Sequence, residues 1–439
     1  MIISHRIQLL PNNMQKTYFR KAIGCARLAY NWGLAEWQRR YKEGERDISG
    51  LTLQKAFYAI KKEQFPFTYE VTKYATAHAF DDLQHSFDRF FAHYAQYPKP
   101  HKKKDGKGSF YYCVNKNTTL LSSFNPQAKY LDGKAYNTNG KHQYLNVPKL
   151  GYVKMTQKMR FNGRVVGVRI IQSGEKYYAS FNVEITEEEY RRTHPHVNGN
   201  LQGAVGIDMG LKEAMTLSDC IAVKNPRFLK NNQRRISKIN RQLSKRQHAK
   251  NKQERLKGVK KSNNYIKLSK RLAKTRRHVT NIRHDFTQKL TTILTTSYAA
   301  LVIEDLELED MFKNKELAYS VSELMLGTIR LQIERKAEKN GVKIILADRF
   351  FASSKTCSKC GYKNGNLSLQ DRTFVCPHCG NVINRDLNAS FNLRSLIKDQ
   401  VGADYPELTP ADLTALLSRF SLNGIATSKV ETGRQHLVC

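Results

Sequence analysis

Apolar residues recur at i, i+3 and i+4 through "FRKAIGCARLAYNWGLAEWQRRY" and "ATAHAFDDLQHSFDRFFAHY", a spacing that predicts helices from about Met14 to Ala95. The aromatic stripe Phe80, Phe87, Phe90, Phe91 and Tyr94 is expected in the core of that helical module, with base stacking as the alternative. Before it, "IISHRIQLL" reads as a strand broken by Pro11 and Asn12. After it comes a Pro/Gly/Lys-rich link, "YPKPHKKKDGKGSF", suited either to a phosphate backbone or to plain solvent. "HQYLNVPKLGYVKM", "GRVVGVRIIQSG" and "KYYASFNVEIT" then alternate apolar and polar residues between turn residues. This period of two predicts a small antiparallel sheet or barrel, which the first strand would join.

A boundary falls in "RRTHPHVNGNLQG", and the pattern changes at Ala204, where "AVGIDMGLKEAMTLSD" reads as buried strand, tight turn and second strand. Narrow apolar seams, Ile236, Ile239 and Leu243, then Ile266, Leu268 and Leu272, predict a helical hairpin broken near Gly258. "FTQKLTTILTTSY" continues as helix into the strand "AALVIEDL". "SELMLGTIRLQIERKAEKNG" reads as one helix ended by Gly341, before the strand "VKIILADRF". Strand and helix alternate, so this half is α/β. The segment after Val401 is mixed, with one helix, "TPADLTALLSRF", opened by Thr409 as cap and Pro410 as first residue.

Charge narrows the function. The 439 residues hold 74 Lys and Arg against 38 Asp and Glu, a formal net charge of +36, and a polyanion is the partner such a surface attracts. Between Lys224 and Arg283 stand 22 basic residues against Glu254 alone, a density that opposes self-pairing of the hairpin as a coiled coil unless a polyanion neutralises it. A solvated surface face remains the plainer alternative for this hairpin. No apolar run reaches the 18 or so residues of a membrane span, and "MIISHRIQLLPNNMQ" has no signal-peptide h-region, so an intracellular, cytoplasmic and nucleoid-associated protein is expected, with no membrane partner.

Of eight cysteines, Cys25, Cys113, Cys220 and Cys439 are scattered, while Cys357-x2-Cys360 and Cys376-x2-Cys379 form two tight pairs fifteen residues apart. This spacing fits a tetrahedral Zn(Cys)4 ribbon with a structural role, because four thiolates leave no coordination position for water. A redox CxxC pair is the competing reading. His378, between ligands, is expected to be exposed. Three carboxylates stand at strand ends or just after the ribbon: Asp208 in "VGIDMG", Glu304 in "LVIEDL" and Asp386 in "NRDLNAS". Facing one cleft they would repel unless hard cations such as Mg²⁺ or Mn²⁺ neutralised them, and two such ions can support phosphodiester hydrolysis. The ribbon then interrupts a catalytic domain between its second and third acids, with "NRDLNASFNLRS" as the returning helix.

At these motifs, "GIDMGLKEAMTLSD", "VIEDLELEDM", "FASSKTCSKCGYKN", "FVCPHCG" and "NRDLNASFNL", the chain resembles the TnpB family encoded by bacterial insertion sequences, and the likeness extends to "IQLLPNNMQ" and "GCARLAYNWGL". The resemblance implies a multidomain α/β plus α+β protein whose RNase H-like RuvC nuclease domain carries an inserted zinc ribbon, with an N-terminal helical recognition module and a small β-barrel wedge domain. Its parts would be a first wedge strand (1–12), the recognition domain (13–108), the wedge (109–198), the nuclease domain with its basic hairpin (199–352), the ribbon (353–383), the last nuclease segment (384–399) and a tail (400–439). It further implies a transposon-derived guide RNA, a double-stranded DNA target beside a short flanking motif, one protein per RNA, and kinship with compact type V CRISPR effectors, in which base pairing reads the target. The family's acidic triad maps to Asp208, Glu304 and Asp386, and its zinc ligands to Cys357, Cys360, Cys376 and Cys379. Lys73 in "VTKYATAHAF" falls near the flank-reading region, and Ala352 replaces the Pro or Thr of many relatives. A guided DNA-binding regulator that rarely cuts and an unguided transposase are the alternatives.

Overall fold

The computed structural model describes residues 1–103, 107–114, 120–122, 143–194, 203–246, 262–306, 308–349, 351–368, 371–401 and 405–430. They fall into two compact units, Met1–Pro195 and His196–Cys439. The break expected near Gly258 and most of the boundary segment after His194 lie outside the described residues.

In the first unit, β1 (Ile2–Leu9) leads into α1 (Asn13–Lys42), whose N-cap Asn12 exchanges side-chain and backbone hydrogen bonds with Gln15. With α2 (Gly50–Gln64) and α3 (Tyr74–Phe91) it forms a three-helix module around Trp37, Phe57, Phe80 and Phe87, and Trp37 stacks on Phe87 at 3.8 Å between ring centroids. The predicted aromatic stripe is only half core: Phe91 is 60% exposed and Tyr94 79%. The helix ends at Phe91 and the chain turns away through His93, in the left-handed region at φ 60°, so Phe91 meets the module only through one edge, against Phe87 and Phe90, and stays largely in solvent.

Next come β2 (Lys107–Cys113), β3 (Leu121–Ser122), β4 (Tyr144–Val147), β5 (Gly151–Lys154), β6 (Arg164–Ser173), β7 (Lys176–Glu184) and α4 (Glu187–Thr193). The antiparallel order β1-β7-β6-β2 confirms that the first strand joins the later ones, and β3-β4-β5 forms a second antiparallel sheet linked to β1 by the bridge Leu9 to Met155. Tyr177, Ala179, Phe181 and Val183 alternate into the core, where Tyr177 meets Phe19 of α1 at 5.2 Å.

The second unit is built on β8 (Ala204–Asp208), β9 (Glu213–Leu217), β10 (Ile221–Lys224), α5 (Phe228–Lys245), α6 (Asn263–Ser297), β11 (Ala300–Glu304), α7 (Leu308–Lys313), α8 (Lys315–Leu324), α9 (Leu326–Asn340) and β12 (Lys343–Ala347). A hairpin of β13 (Thr373–Val375) and β14 (Val382–Asn384) follows, then α10 (Arg385–Val401), α11 (Pro410–Leu422) and β15 (Thr427–Lys429). The sheet order is β12-β11-β8-β9-β10-β15, with β8, β11 and β12 parallel and the remaining pairs antiparallel. The single helix expected over "SELMLGTIRLQIERKAEKNG" is two. Leu324 and Leu326 are both buried, yet in one continuous helix they would point some 200° apart. The break at Met325, φ 58°, turns both inward. The basic hairpin packs through Ile239, Leu268 and Leu272, with Ile236 and Leu243 at its edge; Ile266, expected in the seam, is 39% exposed in the first turn of α6.

Helices cover both sheet faces. Val205, Ile207, Leu301 and Ile303 pack against Leu290, Leu294, Ile329 and Ile333 of α6 and α9. The alternate residues Ala204, Ala300 and Val302 pack against Leu393 and Ile397 of α10. Strand β8 and α10 touch so closely that a Cβ on Gly206 would stand 2.1 Å from the carbonyl oxygen of Ser390 and 2.5 Å from the amide of Arg394. Both obstacles are backbone, so Gly206→Ala is expected to cost about 3 kcal/mol, measured by urea denaturation.

Candidate functional site

Period-two alternation explains how the acids meet. Residues 204 and 300, and 206 and 302, face α10, and counting on by two puts Asp208 and Glu304 on the same face, at the C-terminal ends of adjacent parallel strands. Asp386 lies in the first turn of α10 itself, where Asn384 caps the helix by accepting from the amides of Asp386 and Leu387 at 3.0 and 3.1 Å. Two strand ends and one helix start therefore bring the three predicted carboxylates together. Burial, then the charges of Glu304 and Asp386, push the Asp208 carboxyl well above its usual range, against an opposing pull from Arg385. Burial, then Asp386, also raises Glu304, although Ser353 Oγ donates to Glu304 Oε1 at 2.5 Å. The helix N-terminus and Arg385 moderate the negative charge without cancelling it.

Hard oxygen donors with unbalanced negative charge are the kind of side chains that Mg²⁺ or Mn²⁺ takes as ligands. Without a cation the cluster destabilises the fold. An acid whose folded pKa lies above its unfolded value makes the folded state bind more protons, so stability falls as pH rises through that interval. Asp208→Asn is therefore expected to raise the melting temperature of the chelator-treated protein at pH 8 by a few degrees, the shift of about 1 kcal/mol in a unit of this size. The gain should shrink toward pH 4. Mn²⁺ should stabilise the wild type more than the variant, and calorimetry across pH with and without Mn²⁺ checks all three.

The paired cysteines converge as predicted. Cys357 Sγ lies 3.7 Å from Cys379 Sγ, and Cys360 Sγ 3.6 Å from Cys376 Sγ, with all four sulfurs within 4.8 Å of one another. A tetrahedron with metal–sulfur bonds of about 2.3 Å requires sulfur separations of about 3.8 Å, so the set fits a zinc ion closely. Each pair sits in a matching turn: Gly361 N donates to Cys357 O and Gly380 N to Cys376 O, both glycines adopting φ near +70° where a side chain would be strained. His378 is exposed and stacks on Tyr362 rather than joining the ligands. Lys73, at the start of α3, is exposed beside Tyr74.

Sequence reasoning missed Ser353, Asn388 and Asn392. The two asparagines carried a signal, polar residues at i and i+4 on the apolar side of the returning helix, where both are buried. Ser353 carried none beyond its nearness to Cys357.

Three family models match the chain in order: "Helix-turn-helix domain" (HTH_OrfB_IS605) over residues 1–46, "Probable transposase" (OrfB_IS605) over 180–315, and "Cas12f1-like, TNB domain" over 327–393. The third spans the four cysteines and Asp386. The chain is similar to the TnpB-like proteins of insertion sequences. A "Putative RNA-guided DNA endonuclease" of Streptomyces pristinaespiralis is 26% identical over 390 residues, covering 88% of this chain and 87% of the relative. The "Putative RNA-guided DNA endonuclease InsQ" of Escherichia coli K12 is 24% identical over 404 residues, covering 88% and 90%. Among solved structures, Cas12f1 in a complex with sgRNA and target DNA aligns with a TM-score of 0.50 at 13% identity, over 85% of this chain and 81% of that one. The first model's name does not describe the fold here, because residues 1–46 form one strand and a single long helix. Among the described residues no helix is long and apolar enough to cross a membrane.

Proposed function

We propose that this chain is the RNA-guided DNA endonuclease of a transposable element, cutting double-stranded DNA beside a short flanking motif, as one protein per guide RNA in the bacterial cytoplasm. The observation that carries the reading is the convergence of Asp208, Glu304 and Asp386 on one face of the sheet, in a chain of net charge +36. The order β12-β11-β8-β9-β10 supports an RNase H-like, RuvC-type domain: an antiparallel three-strand meander extended by two parallel strands, with acids at the first and fourth strand ends. The two antiparallel sheets of the first unit support a barrel-like wedge, and the three-helix module a recognition domain.

Asp208, Glu304 and Asp386 would hold Mg²⁺ or Mn²⁺. Two such ions, when bound, would supply charge neutralisation, activation of a water and stabilisation of the leaving oxygen. Cys357, Cys360, Cys376 and Cys379 would hold a structural zinc ion. The protein's own residues orient the site: Ser353 fixes one oxygen of Glu304, Asn384 fixes the start of α10 and hence Asp386, and Arg385 offsets the charge at Asp208. Outside this centre, exposed lysines and arginines of α5 and α6 follow phosphates without reading bases.

Expressing the protein with its native flanking DNA and sequencing the RNA that survives nuclease treatment during purification tests this assignment. A discrete RNA whose 3′ end runs past the element boundary is expected. Random fragments would instead favour an unguided transposase.

A further inference from the structure

The segment between Glu304's partner and the first cysteine is built as a strap. Ser353 is 5% exposed, and its Oγ donates to Glu304 Oε1 at 2.5 Å. Thr356 folds the strap back on itself, its amide and hydroxyl both donating to Ala352 O. Asn392 then spans the strap, its Nδ2 donating to Ser353 O at 2.7 Å and to Thr356 O at 2.6 Å. Asn388 Nδ2 donates to Thr356 O at 2.6 Å while its Oδ1 accepts from Ser358 N at 2.9 Å. Asn388 thus grips the peptide groups on both sides of Cys357. Both asparagines belong to α10, the helix whose first turn carries Asp386.

We propose that Ser353 is a positioning residue for Glu304, and that the strap couples the placement of this carboxylate to metal occupancy of the four-cysteine centre. The proposal rests on the reading of the three carboxylates as a divalent-cation site. A carboxylate with one oxygen held by a buried hydroxyl keeps a single orientation, which is what a ligand set needs before its ion arrives. That hydroxyl is fixed only as far as the strap is fixed, and the strap ends at Cys357. A metal ion on Cys357 would immobilise the turn that Asn388 holds, and an empty centre leaves the four sulfurs with no common ligand to hold that turn in place. The same asparagines could instead serve only to satisfy loop carbonyls. Coupling distinguishes the two, because linkage between two binding sites is reciprocal.

The test uses the purified full chain with its bound RNA and reads two quantities other than cleavage: Mn²⁺ affinity by electron paramagnetic resonance, and the rate of zinc release to a chromogenic chelator. Ser353→Ala should weaken Mn²⁺ binding about tenfold, the loss expected when a charged acceptor gives up one hydrogen bond, with zinc content unchanged. Ser353→Thr should restore it. Saturating Mn²⁺ should slow zinc release from the wild type and leave the rate in Ser353→Ala unaltered. Should Ser353→Ala melt early, Ser353→Cys keeps the volume, replaces a strong donor by a weak one and should show the same loss. Unchanged Mn²⁺ affinity in folded Ser353→Ala or Ser353→Cys overturns the strap while sparing the cation site. If the wild type binds Mn²⁺ no better than Asp208→Ala, the cation site falls and the strap with it.

Discussion

Asp208→Ala is expected to lower single-turnover cleavage of target DNA by at least roughly 10³-fold, about 4 kcal/mol of transition-state stabilisation, while RNA and DNA binding persist. The loss should be that large because Asp208 stands between Glu304 and Asp386 electrostatically: both of their charges act on it. Removing it takes away a ligand and the negative field that concentrates cations. Binding should survive because it rests on basic surface elsewhere in the chain. Cleavage assays and gel shifts on the same preparation separate the two effects, and persistent cutting by the variant would remove Asp208 from the site.

Cys376→Ser should act through folding rather than chemistry. Structural zinc contributes about 10–16 kcal/mol to small metal-built folds, and the ribbon has little else: its apolar core is Phe374, Ile383 and Leu387 packed around Cys357 and Cys376. The variant should lose its zinc, become open to proteolysis between residues 353 and 383, and lose cleavage as Asp386 loses the anchored start of its helix. RNA binding should remain. Metal analysis with limited proteolysis and mass spectrometry follows each step, and a variant that keeps one zinc per chain with a protected ribbon would show that Cys376 is no ligand.

Much of this arrangement is legible in the sequence. Asp208 and Glu304 end apolar runs that read as strands, Asp386 follows the paired cysteines on a returning helix, and the cysteine spacing anticipates the meeting of the four sulfurs. What escaped is what periodicity does not encode. The order of the six strands is set by pairing between distant segments. Strand β15 has just three residues, Thr427–Lys429, and exists because they pair in register with Ile221, Ala222 and Val223 at the edge of the sheet. The break at Met325 comes from two leucines competing for one core, a tertiary demand that overrides the helical pattern around them. Ser353 is known by its partner alone, and that partner lies 49 residues away.

Guide exchange tests the central claim most directly. The purified protein, assembled with its RNA, is given Mg²⁺ and two DNA duplexes that share the flanking motif, only one matching the guide segment; the guide segment is then replaced by the complement of the other. The account predicts that cutting moves with the guide and disappears in Asp208→Ala. Cutting that ignores the exchange, or that proceeds without RNA, would contradict it.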